Sequence, residues 1–106
     1  MRWKVYYSDD ALQDLQGIFD YISQVLLEPE IAAEQTNCIM DAADSLDSMP
    51  FRFRLYENEP WNSRGLRVLP VDNYLIFYLP NESKQVVTII RIMYSGRDID
   101  TQLNKT

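Results

Sequence analysis

Chemistry in this chain has to come from arginine, lysine, tyrosine, serine and carboxylates. It contains no histidine and a single cysteine, Cys38. Imidazole acid–base catalysis, the common zinc sites and an internal disulfide are therefore excluded, and no metal or cofactor is expected. The cationic side chains are concentrated late: Arg52, Arg54, Arg64, Arg67, Arg91 and Arg97 all follow residue 50. A guanidinium is a planar fork that matches phosphate or carboxylate better than an ammonium does. For any single arginine, a solvated surface position with ordinary ion pairs is the competing reading.

Charge narrows the choice of partner. The net charge is −6, divided as −8 over residues 1–50 and +2 over residues 51–106. An acidic chain with so small a local basic surplus is poorly suited to non-specific nucleic-acid binding. With 106 residues, 46% of them hydrophobic and only three glycines, one compact domain spanning 1–106 is expected. No apolar stretch approaches the roughly 18 residues of a membrane span, and Ser8-Asp9-Asp10 interrupts the N-terminal apolar run too soon for a secretory signal. A cytoplasmic protein with no membrane partner is the expectation.

The elements that must position these residues follow from periodicity. Trp3 to Tyr7 reads as a first strand, with Ser8 as the cap of a helix whose apolar residues recur at Leu12, Leu15, Ile18 or Phe19, Ile22 and Val25 or Leu26. Glu28-Pro29-Glu30 interrupts it, since proline is well tolerated at the start of a helix. A second helix is predicted with Ile31, Gln35, Cys38 or Ile39, Ala42, Leu46 and Met49 inward and Asp41, Asp44 and Asp47 outward, ending at Pro50. Cys38 then reads as a small core residue. Residues 50–64 read as an irregular loop, in which Trp61 serves either as an anchor or as a partner contact. Leu66–Val71, Tyr74–Leu79 and Gln85–Tyr94 are three strands of an antiparallel meander. Strict alternation puts Val86, Thr88, Ile90 and Ile92 on one face of the last strand and Val87, Ile89, Arg91 and Met93 on the other, so it should be central. A short polar tail follows. The predicted fold is a two-layer α+β domain, β-α-α-β-β-β, with the helical hairpin on one face of a mainly antiparallel sheet and the other face open for function.

Taken in order, the segments Tyr7-Ser8-Asp9-Asp10-Ala11, Asp14-Leu15, Ile18-Phe19-Asp20-Tyr21-Ile22, Ala32-Ala33, Met49-Pro50, Gly65-Leu66-Arg67, Asn73 to Tyr78 and Ile89 to Ile99 resemble the RelE/ParE superfamily of type II toxin–antitoxin toxins. The resemblance covers nearly the whole chain, and it implies a cognate antitoxin as partner. RelE-like members cut ribosome-bound mRNA; ParE-like members act on DNA gyrase. For the nuclease, attack by the 2′-hydroxyl needs a base, a donor for the leaving oxygen and cations for the phosphorane charge, and the candidates under this resemblance are Arg64, Arg67, Arg91, Tyr94 and Arg97, with Glu57 or Glu59 as a possible base. Nuclease members often carry arginine directly after the tyrosine of the third-strand motif, where Leu75 stands here, and some carry a histidine near the end of the last strand, where Tyr94 is the nearest substitute. The run Arg91-Ile92-Met93-Tyr94-Ser95-Gly96-Arg97-Asp98 resembles the ParE-like pattern, one arginine short. The resemblance thus implies a ParE-like toxin that binds gyrase through Arg91, Tyr94 and Arg97. The alternatives are a RelE-like endoribonuclease partnered by ribosome and mRNA, or a toxin of weak or lost activity. Arg91 reads equally well as a strand residue whose head reaches solvent, Arg97 as a local cap or ion pair with Asp98, and Tyr94 as packing.

Overall fold

A computed structural model describes residues 2–106. Its elements in chain order are β1 (Lys4–Tyr7), α1 (Asp9–Asp20), a π-helical turn (Tyr21–Val25), α2 (Pro29–Asp44), 3₁₀ turns at Ser45–Asp47 and Pro50–Arg52, α3 (Trp61–Arg64), β2 (Arg67–Val71), β3 (Tyr74–Asn81), β4 (Val86–Tyr94) and α4 (Ile99–Asn104). The four strands form one sheet in the order β1-β4-β3-β2. The β2–β3 and β3–β4 pairings are antiparallel, and β1 joins β4 in parallel, Lys4 opposite Val86 and Tyr7 opposite Ile89. The expected α+β architecture is present, and β4 is central as its apolar composition predicted.

The hairpin of α1 and α2 packs on one face. Ala11, Leu15, Ile39, Ala43 and Leu46 meet Leu69, Ile76, Tyr78, Val87, Ile89 and Ile92 there. The buried residues of α2 are Ala32, Thr36, Ile39 and Ala43, followed by Leu46 in the 3₁₀ turn, so the expected stripe holds at Ile39 and Leu46 and is displaced by one position at Ile31, Gln35 and Ala42. Ile31, Cys38 and Met49 are exposed instead. The physical reason is size: small residues bring the helix close to its neighbours, and Thr36 satisfies its hydroxyl on the Ala32 carbonyl at 2.9 Å. Cys38 is thereby corrected from core to surface.

Strict alternation also fails in β4. Tyr78 pairs with Ile89 but Phe77 pairs with Arg91, so Ile90 is an extra residue, a β-bulge. Val87, Ile89 and Ile92 share the helical face, whereas Ile90 and Met93 belong to the opposite cluster.

That opposite face is not open. Tyr56, Trp61, Leu66, Val68, Phe77, Met93 and Leu103 form a second apolar cluster under the 56–66 segment and α4. The loop predicted for 50–64 contains α3, closed by Gly65 in the left-handed conformation (φ 88°) that glycine adopts without strain. The predicted polar tail is α4, capped by Asp98 through the Thr101 N–H at 3.4 Å and hydroxyl at 2.7 Å. A single apolar residue per turn hides such a helix from periodicity; Leu103 is fully buried. No helix of the described residues is long and apolar enough to cross a membrane.

Candidate functional site

Where β1 stops at Tyr7, the edge of β4 is taken over by α1. The Ser8 N–H and hydroxyl donate to the carbonyls of Ile89 (2.9 Å) and Ile90 (2.8 Å), and the Ile92 N–H donates to Asp14 Oδ2 at 2.9 Å. Asp14 also receives Arg91 Nε at 2.7 Å and Nη2 at 2.9 Å. The pair is nearly buried, with the two side chains only 11% and 12% exposed. The hydrogen bonds it donates to Asp14 raise the Arg91 pKa above its ordinary value against the opposing cost of burial. Arg91 Nη1 continues to the Gln102 carbonyl at 3.1 Å and the Thr106 hydroxyl at 3.3 Å. This guanidinium therefore faces inward and joins α1, β4 and α4, instead of snorkelling to solvent.

Beyond this anchor, β4 ends at Tyr94 and turns. The Ser95 N–H donates to the Asn73 carbonyl at 2.8 Å and the Arg97 N–H to the Tyr94 carbonyl at 3.1 Å, which fixes the turn beside the β2–β3 connection. Tyr94 meets Tyr74 edge-on, with ring centroids 6.0 Å apart. Tyr94 and Arg97 line one cavity of about 780 Å³, whose other walls include Gly17, Ile18, Tyr21, Leu26, Ile31 and Tyr74. Burial, and then the neighbouring phenols of Tyr94 and Tyr21, raise the Tyr74 pKa. The site is mostly apolar, with three phenols, the Arg97 guanidinium, the Asp14 carboxylate and the amides of Gln13, Gln35 and Asn73 on its walls.

The other candidates lie elsewhere. Arg67 starts β2, four residues from Val71, the partner of Tyr74, or about 13 Å along the strand. Its Nη1 donates to the carbonyls of Phe53 (2.6 Å) and Phe51 (3.1 Å), its guanidinium lies 5.1 Å from the Phe51 ring centre, and its buried Nε has no acceptor among the described residues. Arg64 stacks on Trp61 at 4.9 Å. Trp61 is itself buried, its Nε1 donating to Asn104 Oδ1 at 3.4 Å, so it anchors the segment above the second cluster. The Glu59 carboxylate accepts from the N–H and hydroxyl of Ser63, bonds that lower its pKa and make it a weaker base. Glu57 is exposed and Leu75 packs with the second cluster. Among the described residues no cluster of potential metal ligands occurs.

Asp14, Tyr74 and Tyr21 were absent from the sequence-derived site. Asp14 had a readable signal: three residues after Ala11 and four before Ile18, it lies on the apolar stripe of α1, where a carboxylate requires a partner.

No curated protein sequence matches the chain. Among solved structures, it is similar to the chromosomal ParDE toxin–antitoxin system of P. aeruginosa (TM-score 0.71, 21% identity, covering 88% of this chain and 96% of that one). It is also similar to the RelBE2 toxin–antitoxin complex of Mycobacterium tuberculosis (TM-score 0.64, 20% identity, 89% and 92% covered). Another similar structure is the archaeal RelE–RelB complex of Pyrococcus horikoshii (TM-score 0.62, 17% identity, 92% and 99% covered). At these identities the likeness is one of fold. The model describing the ParE toxin of the type II toxin–antitoxin system parDE matches residues 5–99, which is most of the chain. On that match, the chain belongs to the ParE toxin family of type II toxin–antitoxin systems.

Proposed function

We propose that this single-domain toxin inhibits growth by binding a protein target of the DNA gyrase kind through Tyr94 and Arg97, and that a cognate antitoxin neutralises it. The observation that carries this reading is the division among the candidate side chains. Tyr94 and Arg97 meet on the wall of an apolar cavity, whereas Arg91 and Arg67 are held by the protein's own carboxylate and carbonyls and Arg64 lies over Trp61. Metal-free cleavage of a phosphodiester calls for several cations around the phosphorane and a base of suitable pKa. An apolar cavity with an aromatic and one arginine matches instead the anchors that dominate protein–protein contacts. In this reading Arg91 is a positioning residue that holds β4 against α1 and α4. The antitoxin part is supported by the similar structures, which are themselves toxin–antitoxin systems and complexes.

The test is induction of the toxin alone, with parallel assays of gyrase supercoiling and of a purified translation system given a defined message. Inhibited supercoiling, lost in Arg97→Ala while the fold is retained, is the expected result. Codon-register cleavage at the ribosomal A site, lost in the same variant, would overturn the reading in favour of the nuclease.

A further inference from the structure

Two arginines of the sheet are drawn into the protein, and only one of them has a counter-ion. Arg91 meets both oxygens of Asp14, whereas Arg67 has no carboxylate partner among the described residues. Arg67 stands opposite Tyr78 in the β2–β3 ladder, so the two side chains share the helical face, beside the 3₁₀ turn Pro50–Arg52. Met49, in the left-handed conformation (φ 50°), reverses the chain there, and the carbonyls that follow it turn inward: Pro50 accepts from the Tyr78 hydroxyl at 2.6 Å, Phe51 and Phe53 from Arg67 Nη1. These acceptors are neutral. Arg67 Nε is buried without one, and Nη2, which is not buried, also has none among the described residues.

A second guanidinium stands at the same turn. Arg52 reaches back through Nη1 to the Ser48 and Met49 carbonyls and through Nη2 to the Ser45 hydroxyl, which leaves Nε without an acceptor and the charge without a carboxylate among the described residues. Burial raises the Tyr78 pKa to about 12, while Arg67 and then Arg52 act on that phenol in the opposite sense, so both cations lie near one point. Residues 48–56 hold two arginines and no acid in a chain of net charge −6, and Asp47 just before them is turned to Arg2 at 3.6 Å. Phe51 and Phe53 wall the place, with ring centres 5.1 Å from Arg67 and 4.7 Å from Arg52. Such rings exclude water and strengthen an ionic contact made beside them.

We propose that the turn at residues 48–53 is a phosphate-binding site, in which a dianionic phosphate group bridges Arg52 and Arg67 beside Phe51. Two guanidinium charges match a dianion better than a carboxylate or a chloride, and their planar forks and donor-only N–H groups suit the oxygens of a phosphate. Phe51 is 45% exposed, so a base carried on the phosphate has a ring to rest on. Orthophosphate and the phosphate of a nucleotide share this chemistry. The site lies at the opposite end of β2 from the cavity of Tyr94 and Arg97, and it stands whatever the target of that cavity.

The test is calorimetric titration of the full chain with orthophosphate, adenosine monophosphate, adenosine, acetate and chloride at one fixed ionic strength. Phosphate, free or on the nucleotide, is expected to bind about tenfold or more tightly than acetate or chloride. Tighter binding of the nucleotide, with adenosine inert, assigns the source to nucleotides; otherwise the source is free phosphate. Arg52→Gln, at an exposed position, should weaken phosphate about tenfold, and so should Arg67→Met. Arg67 also holds two carbonyls of the turn, so Arg52→Gln decides if the Arg67 variant fails to fold. Leu55 bridges to Arg67, which puts its neighbour Arg54 on the other side of the sheet, and Arg54→Gln should leave binding unchanged. Phosphate should raise the melting temperature of the unaltered chain and not that of Arg52→Gln. Four results overturn the inference: no phosphate binding, acetate binding as tight as phosphate, binding that survives Arg52→Gln, or an equal loss in Arg54→Gln.

Discussion

Replacing Asp14 by alanine isolates the anchor that holds the site. The carboxylate accepts three hydrogen bonds, from Arg91 Nε, Arg91 Nη2 and the Ile92 N–H, at 2.7–2.9 Å. Its loss leaves a guanidinium that is about nine-tenths covered with only the Gln102 carbonyl and Thr106 hydroxyl as partners, and a strand N–H with none. Breaking a buried ion pair from one side costs about 3–5 kcal/mol, and an unsatisfied buried N–H about 1–3 kcal/mol. These costs overlap, and the remaining exposure admits some water, so about 3–4 kcal/mol is expected. For a chain of this size the whole stability is roughly 5–16 kcal/mol. At an m-value of about 1.5 kcal/mol/M, the urea midpoint falls by roughly 2 M. Trp61, which touches α4 through Asn104, reports the transition by fluorescence. Asp14→Leu with Arg91→Met removes both charges and should cost less than Asp14→Ala alone, since no ion is stranded. A loss below about 1 kcal/mol for Asp14→Ala, or single-variant costs that simply add in the double variant, would refute the claim that the pair acts as a buried unit.

Three further outcomes follow from the geometry. A Cβ on Gly96 would stand 2.6 Å from the Tyr94 ring, so Gly96→Ala should displace that ring from Tyr74, reducing growth inhibition while the melting temperature changes little. Ile39→Ala, at a fully buried position between hairpin and sheet, should cost about 2–5 kcal/mol in urea unfolding. Burial raises the pKa of Tyr56 and Tyr78 to about 12 and, together with Asp44, pushes Tyr7 well above the usual tyrosine range. Because the fold favours the neutral phenols, their contribution is intact below pH 10, the unfolded value, and is lost as pH rises through about 12. Tyrosinate absorbance with circular dichroism should therefore show Tyr7, Tyr56 and Tyr78 ionising only as the fold is lost.

Much of the fold was legible because the strong signals are periodic ones. The Ser8 cap, the stripe Leu15-Ile18-Ile22 and the doubly apolar β4 each announce their environment. The errors have a common cause in packing distance and register, which hydrophobicity does not encode. In α2 the inner face runs through the small side chains Ala32, Thr36 and Ala43, where Ile31, Gln35 and Ala42 read as inward, and of the alternatives Cys38 and Ile39 the buried one is Ile39. In β4 one bulged residue, Ile90, reverses the alternation beyond it and changes which side Arg91 and Ile92 serve. The run from Arg91 to Asp98 was visible as a motif, but its split into an inward anchor and two cavity-facing residues depends on Asp14, seventy-seven positions earlier.

The parallel pairing of β1 with β4 also sets an order in time. Lys4 waits for Val86, so the edge strand has no partner until the sheet's central strand has been made. At about 5–20 residues per second, translation of the intervening chain takes roughly 4–16 s. Through that interval the acidic hairpin leaves the ribosome with no sheet to cover its inner face, and Tyr94 and Arg97 do not yet exist. A nascent chain of this protein thus carries an uncovered apolar hairpin face until its last strand is made, and the proposed target-binding pair is complete only with the turn beyond that strand.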